Sequence, residues 1–464
     1  MNGWMRKGLI LAVATVTVAA AHAGKTFELN EEGLKLNVGA DVRLRLTKID
    51  NYVLPASGAT IDLNGWGDLE YLRLRTRVWA GLEFSEDLSL HARLVNRSQH
   101  YSTRHDNPDN NYDDQGGTWA FWDETVLDNL YLNVKAPFGA TAWALRVGRQ
   151  DIVLGNGMVF LEGTPYDQGR SIYFDGARAD YSCGGRKVTL LALHNEFKDD
   201  RGTILGDEER RLRRGETGIL GAYWTETIRD NLGTDLYGFY ADIDDDQPAT
   251  PEPNHPVDEN AILKIVGGRV FGKANDDTDY SLEVARQFGT YNGAGAKQDL
   301  EGWMVDARLG LRQLAEKQFA PVFGLEYTYM SGAENDGDDD YEGWHPAFAE
   351  YPIWREELTA LKTFGNWTNL HKARVTANLT LNPKTSMMVA GSTMYADEND
   401  PGILTDPGHA PEGDHIGETL SAFLDYRLNP AWTFSLEASQ LYPGDHLPDT
   451  KTTEWMRFQA VYRF

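Results

Sequence analysis

Alternation is the dominant regularity of the chain. Leu34, Leu36, Val38, Ala40, Val42, Leu44 and Leu46 take every second position, with Lys35, Asn37, Gly39, Asp41, Arg43 and Arg45 between them. Successive side chains of a strand point to opposite sides, so this stretch predicts a strand with one apolar and one polar, basic face. The next segment repeats the pattern. Leu72, Leu74, Thr76, Val78, Ala80, Leu82 and Phe84 share a face, and Arg73, Arg75 and Arg77 lie opposite. The last residues do the same: Met456, Phe458, Ala460, Tyr462 and Phe464 point one way, Arg457, Gln459, Val461 and Arg463 the other. Similar runs recur in DLYGFYADI, WMVDARLGLR, KARVTANLTL, LSAFLDYRL and TFSLEAS.

About 18 such segments of roughly ten residues can be counted, the length a tilted strand needs to cross a bilayer. Their connections alternate in length. Short turns fall at Ser85–Asp87, Pro137–Thr141, Ser182–Arg186, Lys273–Thr278, Asn382–Thr385 and Asn429–Trp432. Long polar loops fall at Ser98–Asp123, Asp244–Asn260, Ser331–Leu370 and Ala396–Asp414. Tight periplasmic turns facing long outer loops are the pattern of a transmembrane antiparallel up-and-down β-barrel, the fold class expected here. A sandwich alternates too, but does not space long strands against alternately short and long links. A β-helix would show a fixed repeat, and none is found. In a barrel the apolar face meets lipid and the arginines meet the lumen. The last strand must pair with the first, because an open edge in hydrocarbon strands backbone polar groups.

The first residues set the compartment. Arg6 and Lys7 precede the apolar run GLILAVATVTVAA, and Ala21–His22–Ala23 fits a small-x-small cleavage site. Residues 1–23 therefore read as a signal peptide and 24–464 as one barrel domain, exported to the outer membrane of a Gram-negative type of envelope. Cys183 is the single cysteine, so no intramolecular disulfide is possible. The formal charge of −26, from 44 basic and 70 acidic residues, excludes a nucleic-acid partner. Much of the acid sits in prospective outer loops, AENDGDDDYEG and DIDDDQPATPEPNHPVDEN. The first has aspartates spaced as in a calcium loop. It lacks the glycine at the sixth position from Asp336, where Tyr341 stands, and the glutamate at the twelfth, Ala347. These loops read as a solvated surface beside lipopolysaccharide. No G-x-S-x-G elbow appears, most histidines fall in loops, and His91 reads as a pore-lining group, so no enzyme and no cofactor is expected.

The stretch LRVGRQDIVLGNGMVFLEGTPYDQGRSIYFDGARADY, residues 145–181, resembles the alginate-export family of outer-membrane porins. Gly148–Arg149–Gln150, the glycine-rich loop after it and Phe174–Arg178 carry the likeness, helped by NLHKARVTANLTL, HIGETLSAFLDYRL and the closing VYRF. The resemblance implies an 18-stranded monomeric barrel with an arginine-rich, anion-selective constriction, and it matches Arg149 to a family pore arginine.

Arginine stays charged and grips carboxylates through a two-pronged fork. Arg73, Arg75 and Arg77 stand ~6.8 Å apart on one strand face, with Arg43 and Arg45 on the strand before. Arg93, Arg149, Arg178, Arg308, Arg374 and Arg457 complete the expected pore-lining set. A row of arginines in a narrow lumen serves as a relay for anionic sugars or an alginate-like polysaccharide, crossing passively. It can equally brace the wall through lumen carboxylates such as Asp41, Glu83, Asp306, Glu326, Asp425 and Glu437. Two rival readings stand beside the polysaccharide channel: a general porin for small anions, and a non-conducting barrel whose acidic loops act as an adhesin or receptor. A short helix over Tyr351–Phe364 could fold into the mouth of the barrel as a gate, or equally form a rigid cap on the outside.

Overall fold

In a computed structural model, residues 24–30, 33–51, 68–101, 120–162, 173–196, 203–206, 216–244, 260–293, 296–333, 340–346, 348–349, 353–355, 368–398, 411–447 and 451–464 are described. The expected signal peptide and the acidic run 334–339 lie outside them, as does the Tyr351–Phe364 segment except for the bend at 353–355.

Eighteen long strands form the wall. They are β1 (Lys35–Asp50), β2 (Asp68–Glu83), β3 (Leu88–Tyr101), β4 (Ala120–Lys135), β5 (Trp143–Gln150), β6 (Phe174–Cys183), β7 (Arg186–Asn195), β8 (Glu216–Arg229) and β9 (Leu232–Asp244). The circuit continues with β10 (Asn260–Asn275), β11 (Thr278–Gly293), β12 (Trp303–Leu311), β13 (Val322–Met330), β14 (Leu370–Asn382), β15 (Thr385–Tyr395), β16 (His415–Arg427), β17 (Trp432–Pro443) and β18 (Thr453–Arg463). Each pairs antiparallel with the next, and β18 pairs with β1 from Asp41↔Arg463 to Asp50↔Glu454, which closes the barrel and removes its edge. The Phe464 backbone N–H donates to the Ala40 carbonyl at 2.9 Å, so the hydrogen-bond ladder runs to the terminal residue.

The faces follow the alternation. Asp41, Arg43, Arg45 and Thr47 are buried inside, while Leu46 is 49% exposed. Val375 at 53%, Leu420 at 53% and Leu436 at 51% are exposed on the outside. Exposed apolar side chains over a buried polar interior are what lipid on one side and a confined lumen on the other require. An exposed aromatic rim lies near the short turns, with Trp432 and Tyr426, and another lies near the opposite ends, with Trp303, Tyr327 and Tyr395.

The wall departs most from regularity between β4 and β6. Strand β5 stops at Gln150. Gly148 has φ +123°, and a Cβ there would stand 2.2 Å from the Leu130 carbonyl oxygen; its cross-strand partner Gly176 has φ +145°. Only glycine tolerates that backbone and that approach. Beyond β5, the outer half of β4 takes another partner, the short strand Thr203–Gly206, which pairs from Thr203↔Val126 to Gly206↔Glu124. The chain released from the wall at Asp151 folds into the lumen.

Candidate functional site: a basic wall and two inward segments

Residues Ile152–Leu154 and Phe160–Glu162 form a small hairpin. Its tip touches side chains that face inward from the wall. Asn156 donates to the Ser281 hydroxyl at 3.2 Å and accepts from Arg269, while the Arg308 guanidinium contacts Met158 Sδ at 3.4 Å. Phe160 is 1% exposed and packs on Phe174, Phe239 and Phe348, with ring centroids 4.9, 5.4 and 4.8 Å away. Phe348 belongs to a second inward segment, from the longest loop. Its carbonyl accepts from the Leu161 N–H at 2.8 Å. The same loop lays Trp344 at 0% exposure and exchanges two hydrogen bonds between His345 and the wall residue Gln287, at 2.6 and 2.8 Å. Apolar packing of the two segments on each other and on inward wall side chains such as Phe174, Phe239 and Ile265 holds the hairpin in the interior.

The loop's bend at 353–355 is pinned to the far wall. Arg355 donates to both Asp425 oxygens at 2.7 and 2.9 Å and to Glu437 at 2.7 Å, and its guanidinium lies 4.7 Å from the Phe423 ring centroid. Trp354 donates to Glu326 at 3.3 Å and lies under the Lys372 ammonium at 4.0 Å. Removing one partner of a buried ion pair costs roughly 3–5 kcal/mol, which is large for a short bend. Arg355→Ala is therefore expected to release this segment and raise single-channel conductance. Unchanged conductance in the variant would mean that the bend does not narrow the passage.

Directly beside the strands of Asp425 and Glu437, β18, β1, β2 and β3 carry a basic wall, and Arg457 on β18 stands 3.8 Å from Glu437. The registers place Arg43 opposite Arg75, and Arg75 opposite Arg97. In the adjacent row Arg45 faces Arg73, and in the row beyond Asp41 faces Arg77. Directly opposed like charges are destabilising, so sheet stability alone does not select these rows. Asp41 holds Arg75 at 3.3 Å and Arg77 at 2.5 Å. Arg93, further down, forks onto Asp128 at 2.8 Å and reaches Asp151 at 2.9 Å, where the chain leaves the wall. Arg45 donates to Gln459 at 2.6 Å, and Arg73 lies 5.0 Å over the Tyr71 ring. Arg457 stacks on Trp455 at 4.7 Å and donates to Thr47 at 3.2 Å. Arg43, Arg45 and Arg75 are 5%, 3% and 5% exposed, so the wall is covered rather than bathed in a wide water column.

The remaining expected residues sit elsewhere. Arg308 pairs with Asp306 at 2.7 Å and Arg374 with Glu326 at 3.0 Å on the acid-bearing side. Arg178 points inward from β6 and forks onto Asp180 at 2.8 and 3.1 Å. Arg149 follows the outward alternation of Val147. It forks onto Asp175 at 2.9 Å, donates to the Leu127 carbonyl at 3.0 Å and lies 3.9 Å over Tyr173. Its contacts brace the point where β5 ends. His91 faces inward and stacks on Tyr131 at 5.0 Å.

Sequence reasoning missed Arg97, Arg146, Arg269 and Arg355. Arg97 had a readable signal, since the parity of His91 and Arg93 continues to it. Arg146 had one as well, two steps from Gly148. Arg355 had none, because its partners come from strands about 70 and 82 residues away.

Among known proteins, the chain matches the family described as Alginate export over residues 35–460. No curated protein matches it significantly. Similar solved structures are Pseudomonas aeruginosa OpdL (13% identity, TM-score 0.56, 92% of this chain and 98% of that one) and P. aeruginosa OpdO (12%, 0.56, 92% and 97%). A BenF-like porin from Pseudomonas fluorescens Pf-5 is similar as well (11%, 0.56, 92% and 98%). At these identities the likeness is one of fold.

Proposed function

Because the chain belongs to the alginate-export family, we propose that this porin-type outer-membrane barrel passes anionic sugars or an anionic polysaccharide by passive diffusion, along its arginine wall. The observation that carries the reading is the stacking of like charges, Arg43–Arg75–Arg97 in one row and Arg45–Arg73 in the next. Such rows are costly in a sheet and useful to a travelling carboxylate. Where a uronate displaces the present cover of these arginines, the forked donors give it bidentate contacts at ~5–7 Å intervals, set by strand spacing and side-chain period. Binding at several weak sites lets a polymer enter and also leave.

The Asp41 contact with Arg75 and Arg77 supports exchange rather than rigid gripping. A passing carboxylate substitutes for Asp41 on either arginine, so no bare charge is left at any step. The inward hairpin and the described inward residues of the longest loop narrow the route, which brings a solute close to the basic wall. Lipid and lipopolysaccharide surround the barrel in this reading, and the barrel works as a monomer without nucleic acid or cofactor.

Single-channel recording in planar bilayers tests it. Uronate oligomers on either side should interrupt the current in brief, concentration-dependent blocks. Neutral oligomers of equal length should give markedly fewer. Equal blocking by both classes would remove the charge-based mechanism. Absence of any current would favour a non-conducting receptor.

A further inference from the structure

The outer, lipid-facing surface carries two cations at a height where the bilayer has headgroups. Tyr240, Phe288 and Trp303 are exposed there by 39%, 37% and 42%, near the strand ends opposite the short turns. Amphipathic and aromatic rings of this kind mark the boundary of the hydrocarbon. Lys264 stands between Tyr240 and Phe288 in the register of β9, β10 and β11, on the same outward face. Its ammonium lies 5.8 Å from the Phe288 centroid and makes no ion pair among the described residues. Arg286 stands opposite Val266 and Trp303, with its side chain 41% exposed and its guanidinium 5.2 Å over the Trp303 ring. Glu301 pairs with it at 3.0 Å. The two cations are diagonal neighbours across β10 and β11, about 7–8 Å apart at the backbone, a span that one phosphate bridges with long side chains.

Beside them the outward row is thin. Arg286, Val266, Gly238 and Ala222 follow one another across β11, β10, β9 and β8, and a Cβ on Gly238 would meet nothing closer than 3.9 Å. Small residues running sideways from Arg286 leave room for an acyl chain next to a phosphate.

We infer that Lys264 and Arg286 bind the phosphate of an anionic glycolipid of the outer leaflet, with one acyl chain lying over the Gly238–Ala222 part of the row beside Arg286. Two positive charges against the one carboxylate of Glu301 leave a surplus for the phosphate. The site is separate from the lumen and independent of the solute carried.

The test is native mass spectrometry of the detergent-purified, folded barrel titrated with bisphosphorylated lipid A. Wild type should hold one lipid A. The variant K264Q/R286Q should bind it roughly tenfold or more weakly, as expected for losing hydrogen bonds to a charged group. E301Q should bind it more tightly. K48Q, at an outward lysine already paired with Asp50 at 2.9 Å, should leave binding unchanged. The inference is overturned if K264Q/R286Q binds as wild type does, or if dephosphorylated lipid A binds equally well. It is also overturned if millimolar inorganic phosphate displaces lipid A, because the site would then be one for free phosphate.

Discussion

Replacing Arg73, Arg75 and Arg77 together by glutamate should reverse the ion preference of the channel and abolish block by uronate oligomers. Each substitution changes the local charge by two, in a part of the lumen where a low-dielectric wall focuses the field. Confined charge of one sign alters local counter-ion concentration by roughly 10- to 1000-fold, so the permeability ratio should cross unity rather than drift. Asp41 sits within reach of two of the three sites. The glutamate variant therefore places carboxylates against a buried carboxylate and carries a risk to folding. The triple glutamine variant keeps the test open, since it removes the cations without adding repulsion and should abolish anion preference without reversing it. A folded triple glutamine variant with wild-type selectivity would reduce the arginines to wall bracing.

The second large effect concerns folding. Val375 lies mid-strand on β14, 53% exposed, with Leu325 opposite it on β13. Val375→Arg should lower the stability of the inserted barrel by about 2–4 kcal/mol, the cost of arginine on a lipid-facing wall near the midplane. Val375→Ala should be mild, because lipid fills the space that a lost side chain leaves and no core cavity forms. Urea titration of refolding into lipid vesicles measures both. Equal stabilities would mean that Val375 does not meet hydrocarbon.

The same faces explain what the sequence could and could not disclose. The faces of strands β1, β2 and β18 were legible, since a period-2 pattern over more than ten positions has only two possible phases and lipid permits only one. Closure through β18 and β1 followed from the cost of an edge in hydrocarbon. The interior was less legible. Arg149 lies on the outward phase with Val147 and is consumed by Asp175, Tyr173 and the Leu127 carbonyl. The family likeness marks this stretch, while its contacts brace the gap where β5 stops. Departure of the chain into the lumen at Asp151 has a local sign in Gly148, Gly155 and Gly157, but where the hairpin docks depends on Ser281, Arg308 and Phe348, residues far along the chain. Thr47 shows the same limit: its polar phase is readable, but its burial against Arg457 is not. Pairwise chemistry between inward side chains of distant strands leaves no periodic trace.

The wild-type reversal potential in a salt gradient tests the central claim most directly. The chain's formal charge of −26 suggests a cation channel. The account assigns much of that acid to outer loops, where salt screens charge over ~8 Å at physiological ionic strength, and assigns selectivity to the confined arginine wall. It predicts a reversal potential of the sign for anion preference, persisting at moderate salt. A cation-selective wild type would contradict it, because the acidic mouth would then control entry and an anionic polymer would have no electrostatic route through the barrel.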